Sequence, residues 1–235
     1  MPNIAVAILG RLAQAGLDDF FKVVGTHALY SYEAAAGVRF SSEITFKRDI
    51  DLLWDTRKRV TFAQKLVQDA PSMLAALQKV DKTFQVNEDQ KYTAVNKVGF
   101  EVDIIRRIAQ EGDPHPIRRS DAEDDFWLVQ AKRADELVNA PEFSEIVVAA
   151  NGSLARMTTI HPAVFVRFKR WMSIQTESEA LKRRRDALQA DAVECALHER
   201  LTHLLPGRKH LPLAFAGHGL AASRNGPAVL SWFPL

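Results

Sequence analysis

The feature that most constrains the fold is a short segment in which two aspartates alternate with apolar residues, Asp49-Ile50-Asp51-Leu52-Leu53. Such alternation is typical of a β-strand that packs one face into the protein core. Residues two apart on a strand lie about 6.5 Å apart on the same face. The two carboxylates are therefore expected to point in the same direction.

A third acid follows in a similar apolar segment, Val102-Asp103-Ile104, which we expect on a neighbouring strand. Three carboxylates that converge on one wall of a site repel one another unless a cation lies between them. Hard divalent ions such as Mg²⁺ prefer oxygen ligands of this kind. The alternative for Asp49 and Asp51 is a solvent-facing pair on an edge strand. Lys47 and Arg48, which precede the acids, are expected to screen them, to contact phosphate or to be solvated.

An apolar segment that ends in glycine precedes the acids in the chain. Phe21 to Val24 predicts a strand, Gly25-Thr26 breaks it, and a helix is expected from there to Ala36. Glycine allows the backbone to approach a neighbouring group closely, and the start of a helix carries the positive end of the helix dipole.

The order of these features resembles that of the nucleotidyltransferase superfamily, whose fold is that of DNA polymerase beta. The family pattern is a Gly-Gly or Gly-Ser turn, a strand with two acids one residue apart, and a third acid on a later strand. These positions correspond here to Gly25-Thr26, to Asp49 with Asp51, and to Asp103. Thr26 departs from the usual Gly or Ser and keeps a hydroxyl group.

Two later segments strengthen the resemblance. His161-Pro162 to Trp171 and Leu181 to Ala190 look like the C-terminal helical part of bacterial nucleotidyltransferase-fold proteins, which are distantly related to the abortive-infection toxin nucleotidyltransferases. The resemblance implies an α+β fold, with a polymerase beta-like mixed sheet flanked by helices and followed by a mainly helical C-terminal part.

The reaction implied by the resemblance is nucleotidyl transfer, in which a hydroxyl group attacks the α-phosphate of a nucleoside triphosphate and pyrophosphate leaves. By this resemblance Asp49, Asp51 and Asp103 are the catalytic residues and hold Mg²⁺ or Mn²⁺. Gly25 and Thr26 are expected to offer backbone N–H groups to the triphosphate, and Thr26 also its hydroxyl group.

The helical part supplies two further candidates for triphosphate binding, Lys169 and Lys182, which would act from across a cleft. Lys182 and Asp186 are four residues apart and share a helix face. The alternative is that the run from Lys182 to Arg185 is a solvated face that makes local ion pairs.

The acceptor is left open between RNA, a protein side chain and a small molecule, and so is the oligomeric state. A basic surface for RNA would combine the helix around Lys182 with Arg106-Arg107 and Arg118-Arg119. A different class of function is a non-catalytic nucleotide-binding or protein-interaction module that retains the fold. The presence of all three acids favours the enzyme.

Length and composition set the expected location. The chain has 235 residues, of which 47% are hydrophobic and 26% charged, and its net charge of +2 is too small to argue for nucleic acid by itself. No apolar run approaches the roughly 20 residues that a membrane helix needs. The single Cys195 excludes an internal disulfide and fits a reducing compartment. We therefore expect a bacterial cytoplasmic protein that does not bind a membrane.

We predict three segments: a nucleotidyltransferase domain over residues 1–125, a C-terminal hairpin and helical domain over 126–203, and an irregular tail over 204–235. The first boundary follows an exposed loop over residues 109–125. No Asp or Glu follows Glu199. The tail is expected to be either a partly ordered peptide that packs through its aromatic residues or the product of a reading-frame change.

Local patterns predict the elements of the second segment. Asn151-Gly152 between two apolar runs predicts a β-hairpin, and Pro162 predicts the first turn of a helix. A helix is also expected over residues 126–138. A last helix is expected over residues 177–203, with four residues on its apolar side: Leu181, Leu188, Ala192 and Cys195. In the first segment, an antiparallel meander is expected to carry Asp103 against the strand of Asp49.

Overall fold

One mixed β-sheet organises the part of the chain that the computed structural model describes, which is residues 1–109, 126–205 and 230–231. The helices are α1 (Asn3–Gln14), α2 (Leu29–Ala36), α3 (Ser42–Thr45), α4 (Arg59–Asp69), α5 (Met73–Gln78), α6 (Ala134–Asn139), α7 (Pro162–Ser173) and α8 (Ala180–Glu199). The strands are β1 (Phe21–Val24), β2 (Arg39–Phe40), β3 (Asp49–Trp54), β4 (Gln85–Val86), β5 (Thr93–Val95), β6 (Glu101–Arg107), β7 (Val129–Ala131), β8 (Glu142–Val148), β9 (Leu154–Ile160) and β10 (Leu230–Ser231).

The strand order of the main sheet is β4-β5-β6-β3-β1-β9-β8, with β7 paired to β6, while β2 pairs with β10. Helices flank this sheet, and the C-terminal part ends in α7 and α8. The predicted α+β fold with a mixed sheet is therefore confirmed.

The direction of β6 corrects one expectation. β4, β5 and β6 form the predicted antiparallel meander, but β6 runs parallel to β3. Parallel neighbours need a long crossover connection, and α4, α5 and the β4–β5 pair supply it here.

The period of two in β3 divides its residues between the two faces of the sheet. Ile50 and Leu52 pack into a core cluster with α1, α4 and α5, whereas Leu53 packs into a second cluster with α2, α6, α7 and α8. Asp49 and Asp51 share the face of Leu53, because residues two apart on a strand lie on the same side. The expectation that both aspartates share one face is confirmed.

The prediction of a helix over residues 126–138 is wrong. Val129–Ala131 forms β7, which pairs with β6, and only Ala134–Asn139 is helical. Arg133 has a left-handed backbone with a φ of 60°, which separates the two elements. Pairing with β6 is a long-range contact, so the local pattern could not reveal it.

The hairpin and the two C-terminal helices form where they were predicted. Gly152 has a φ of 85° in the turn between β8 and β9, and Pro162 is the first residue of α7. The buried side of α8 differs from the prediction, because Leu181 is 76% exposed and Cys195 only partly buried. The helix instead buries two polar residues, Asp186 and Gln189, together with several small and branched residues, which are Ala190, Ala192, Val193, Ala196 and Leu197.

Several predictions concern residues outside the described ranges. These are the exposed loop and boundary near residue 125, the basic residues Arg118-Arg119, and the tail apart from residues 204, 205, 230 and 231. The division into domains stays a prediction. The β8–β9 hairpin, which falls in the second predicted segment, lies in the same sheet as β1 of the first segment. Arg106 is 1% exposed and so is not part of a basic surface. The described residues contain no helix that combines the length and the hydropathy of a membrane span.

Candidate active site

The acidic residues of the candidate site lie where β3 and β6 begin side by side. In the parallel register of these strands, Asp51 lies opposite Asp103, and Asp49 lies opposite Glu101. The structure therefore brings the three predicted acids to one edge of one sheet face. It adds Glu101, which sequence reasoning missed, although the alternation Glu101-Val102-Asp103 repeats the signal that marked Asp49 and Asp51.

Burial makes the ionised forms of Asp51, Asp103 and Glu101 costly. It raises the pKa of Asp51 to about 7, with Lys47 opposing the shift and the charges of Asp49 and Asp103 adding to it. Burial likewise raises the pKa of Asp103, although the hydroxyl group of Thr93 donates a hydrogen bond of 2.6 Å to Asp103 Oδ1 and opposes the shift. The pKa of Glu101 is raised by burial and by both neighbouring aspartates. The site therefore concentrates negative charge that a cation would stabilise.

Gly25 lies directly against Asp51. β1 pairs with β3 so that Val24 lies opposite Asp51, and the chain turns at Gly25 with a φ of 67°. A Cβ atom on Gly25 would lie 2.2 Å from Asp51 Oδ2, far inside van der Waals contact. Glycine is therefore needed both for the left-handed backbone and for the close approach to the carboxylate.

The residues after Gly25 form a 3-10 turn, Gly25–Ala28, that leads into α2. Thr26 is 4% exposed, and its Oγ1 accepts a hydrogen bond of 3.1 Å from Gln189 Nε2 of α8. His27 is buried against the ring of Phe100, and burial lowers its pKa to about 4. The imidazole of His27 is therefore neutral near pH 7 and adds no positive charge to the site.

Lys47 supplies the cation nearest the acids. Its Nζ donates a hydrogen bond to Asp49 Oδ2. Burial by itself lowers the pKa of Lys47, but the charges of Asp51 and Asp49 outweigh burial and raise it. Arg185 of α8 acts on the same ammonium group as a like charge. The structure thus places Lys47 beside the acids and brings Arg185 of α8 close enough to act on Lys47.

Lys169 and Lys182 are in different environments. Lys169 is 6% exposed, and its Nζ lies 2.7 Å from Oδ1 of Asp186, which is 3% exposed. Burial lowers the pKa of Lys169, while the charges of Asp186 and Asp51 oppose that shift. Lys182 lies exposed near the start of α8. The structure therefore brings Lys169 close enough to act on Asp51 and places Lys182 at the surface.

The donor set suits a divalent cation in its chemistry, since carboxylate oxygens are the ligands that Mg²⁺ prefers. In the described ranges, however, no three His, Cys, Asp or Glu side chains converge to hold a metal ion. Asp49 is engaged by Lys47, and Asp103 by Thr93. The ammonium group of Lys47 neutralises an acid that a metal ion would otherwise neutralise.

Comparison with known proteins gives one match. The model of a family described as "Nucleotidyltransferase" matches residues 3–209. That range contains the Gly25 turn, the acids of β3 and β6, and both C-terminal helices. No curated protein and no solved structure matches the chain.

Proposed function

The chain belongs to the nucleotidyltransferase family and is a transferase, and we propose that it catalyses a magnesium-dependent nucleotidyl transfer to a hydroxyl acceptor. The acceptor oxygen forms a bond to the α-phosphorus of a nucleoside triphosphate. The bond between that phosphorus and the oxygen of the leaving pyrophosphate breaks, and the acceptor proton passes to a base, for which Asp103 is our candidate. The products are a nucleoside monophosphate ester and pyrophosphate.

One observation carries the proposal: the backbone of Gly25 lies against the carboxylate of Asp51, which is itself in register with Asp103. A glycine without a side chain allows a phosphate chain to approach the turn closely, and a cation held by the acids would then lie between the phosphate and the carboxylates. A purely structural turn would not need this contact, because an acid facing solvent would avoid the cost of burial.

Asp49, Asp51 and Asp103 would hold Mg²⁺ or Mn²⁺. When bound, such an ion neutralises charge on the triphosphate and on the leaving pyrophosphate. The acids are of the right type, and the like charges that raise the pKa of Asp51 would become favourable beside a cation. Release of Asp49 from Lys47 would free that ammonium group for the triphosphate.

We assign the triphosphate to the Gly25–Thr26 turn on one side and to the cations of the helical part on the other. The backbone N–H groups of the turn would donate hydrogen bonds to the phosphate oxygens, with the start of α2 behind them. Lys182 would contact phosphate from the surface of α8. Lys169 would act mainly through its charge, because its Nζ is bonded to Asp186.

The nature of the acceptor and the place of the reaction remain parts of this proposal. RNA, a protein side chain or a small molecule with a hydroxyl group fits the reaction. The single Cys195 supports a reducing, cytoplasmic compartment. The bacterial origin and the distant likeness to abortive-infection toxins stay predictions.

Calorimetric titration with each of the four ribonucleoside triphosphates, with and without Mg²⁺, tests the proposal. We expect magnesium-dependent binding of at least one nucleotide to the wild type and none to Asp49→Ala/Asp51→Ala. The matched control is Glu88→Ala/Asp89→Ala, which removes two exposed acids from the turn before β5. If the wild type binds no nucleotide in Mg²⁺ or Mn²⁺, the proposal fails.

A second candidate function is a nucleotide-binding module without catalysis. The observation that favours it is the compensation of the charge of Asp49 by the ammonium group of Lys47. Such a module would bind a nucleotide and keep that binding when a single acid is neutralised.

Replacement of Gly25 by alanine is expected to lower the transfer rate by about 10²-fold. The Cβ atom of the alanine would displace the carboxylate of Asp51. A displacement of about 1 Å at a reactive site lowers the rate by about this factor. The left-handed backbone adds strain of about 1–2 kcal/mol. Gly37→Ala is the control, since Gly37 has a φ of 63° and a Cβ there would meet no atom within 4 Å. The two variants are compared in transfer rate and thermal midpoint. Equal transfer rates would show that the contact with Asp51 is unimportant.

A further inference from the structure

A buried glutamine joins the Gly25–Thr26 turn to the C-terminal helix. Gln189 of α8 is 0% exposed. Its Nε2 donates one hydrogen bond of 3.1 Å to Thr26 Oγ1 and another of 2.7 Å to the backbone oxygen of Ile44 in α3. A single amide group therefore connects three elements that are far apart in the sequence.

This amide is poorly explained as a stabilising group. Among the described residues, its Oε1 has no hydrogen-bond partner, and a buried acceptor without a partner destabilises the folded state. An apolar side chain of similar length would fill the same space without this cost. The two donated hydrogen bonds are therefore the feature that requires glutamine.

The bond to Thr26 directs the hydroxyl group of that residue. Gln189 Nε2 occupies a lone pair of Thr26 Oγ1, so the hydroxyl proton is left for another acceptor. A hydroxyl group that already accepts a hydrogen bond is also a stronger donor. The bond to Ile44 holds the amide in place, because α3 is further tied to α2 by the hydrogen bond from the hydroxyl group of Tyr30 to the backbone oxygen of Thr45.

We propose that Gln189 is a positioning residue that orients the Thr26 hydroxyl group, and with it the Gly25–Thr26 turn, toward the triphosphate of the substrate. This inference rests on the proposed function. It assigns part of triphosphate recognition to a side chain of α8 that acts through Thr26. Through this contact, the position of the Gly25–Thr26 turn depends on the packing of α8.

The test is the affinity of Gln189→Met for magnesium tripolyphosphate, measured by calorimetry. This probe presents a triphosphate without a base or sugar, so the unknown base preference does not matter. We expect roughly tenfold weaker binding, which corresponds to the loss of one hydrogen bond to a charged group. Gln78→Met is the matched control, because Gln78 also donates from Nε2 to a backbone oxygen, that of Phe84, and should keep wild-type affinity.

A double-mutant comparison separates positioning from structural support. Thr26→Val should weaken tripolyphosphate binding as much as Gln189→Met does, and Thr26→Val/Gln189→Met should bind no more weakly than either single variant. A purely structural glutamine would lower the thermal midpoint and leave the affinity of the folded protein unchanged. If Gln189→Met does not fold, Thr26→Val still tests the idea, since it leaves the bond to Ile44 intact.

Two results would overturn the inference. Wild-type affinity in Thr26→Val or in folded Gln189→Met would overturn it alone, while the proposed function would stand. A wild type that binds neither magnesium tripolyphosphate nor any nucleotide would overturn both.

Discussion

Asp51→Asn is expected to lower the rate of nucleotidyl transfer by about 10³-fold or more, because neutralising this residue removes a charged oxygen ligand at the centre of the site. Asp51 touches the Gly25 turn on one side and lies opposite Asp103 on the other. Asparagine has the same shape, so neither contact should be lost for steric reasons. The measurement is release of pyrophosphate from the nucleotide that binds the wild type.

The same substitution is expected to change the pH dependence of stability in metal-free buffer. The pKa of Asp51 is raised from 3.8 to about 7 in the folded state, so the folded protein holds this proton more tightly than the unfolded chain. The wild type should therefore lose stability as the pH rises from about 4 through 7, by an amount on the order of 3 kcal/mol. Asp51→Asn should lack this loss, and Mg²⁺ should reduce it in the wild type.

Asp55→Asn is the control for both measurements. Asp55 follows the end of β3 and forms an ion pair with Arg57 at the surface, so its neutralisation should leave transfer unchanged. Full transfer activity in Asp51→Asn would rule out the proposed role of this acid. Loss of transfer with unchanged nucleotide binding and structure would exclude the non-catalytic module as the protein's function.

Lys169→Met is expected to destabilise the protein by about 3–5 kcal/mol, because it leaves the charge of Asp186 buried without its partner. The two side chains form an ion pair of 2.7 Å and are almost entirely buried. Asp186 Oδ2 already has no hydrogen-bond partner within the described part of the chain, so no second donor there can take over. Urea unfolding monitored by circular dichroism measures the difference.

Two further variants make this prediction specific. Lys169→Met/Asp186→Leu should recover most of the lost stability, because neither charge then remains in the core. Arg170→Met should cost less than about 1 kcal/mol, since Arg170 pairs with Asp191 and Glu194 at the exposed surface. A Lys169→Met protein as stable as Arg170→Met would show that the buried pair contributes little.

Much of the fold was predictable because the relevant signals are local. The alternation around Asp49 and Asp51 reflects the period of a strand, and the glycine at position 25 marks a backbone that other residues rarely adopt. The turn at Gly152 and the helix that begins at Pro162 follow from the same kind of local preference. Each of these features depends on residues that are close together in the sequence.

Helix α8 shows where local reasoning failed. Its apolar residues suggested a buried side through Leu181, yet the helix buries Asp186 and Gln189. These two polar residues can be buried because each has a hydrogen-bond partner. Lys169 of α7 bonds to Asp186, and Thr26 of the Gly25–Thr26 turn bonds to Gln189. A partner that is 17 or 163 residues away cannot be inferred from the spacing of apolar residues within the helix.

The sequence by itself determined the strand of Asp49 and Asp51, the Gly25 turn and the kinds of side chain at the site, since backbone geometry and side-chain spacing act within a few residues. Only the tertiary structure decided that β6 runs parallel to β3, which sets Asp103 beside Asp51 and Glu101 beside Asp49. It also decided that Lys169 pairs with Asp186 and that Gln189 donates a hydrogen bond to Thr26. The physical reason is that charge compensation and buried hydrogen bonds depend on which segments come into contact. The packing of the two cores on either side of the sheet determines those contacts.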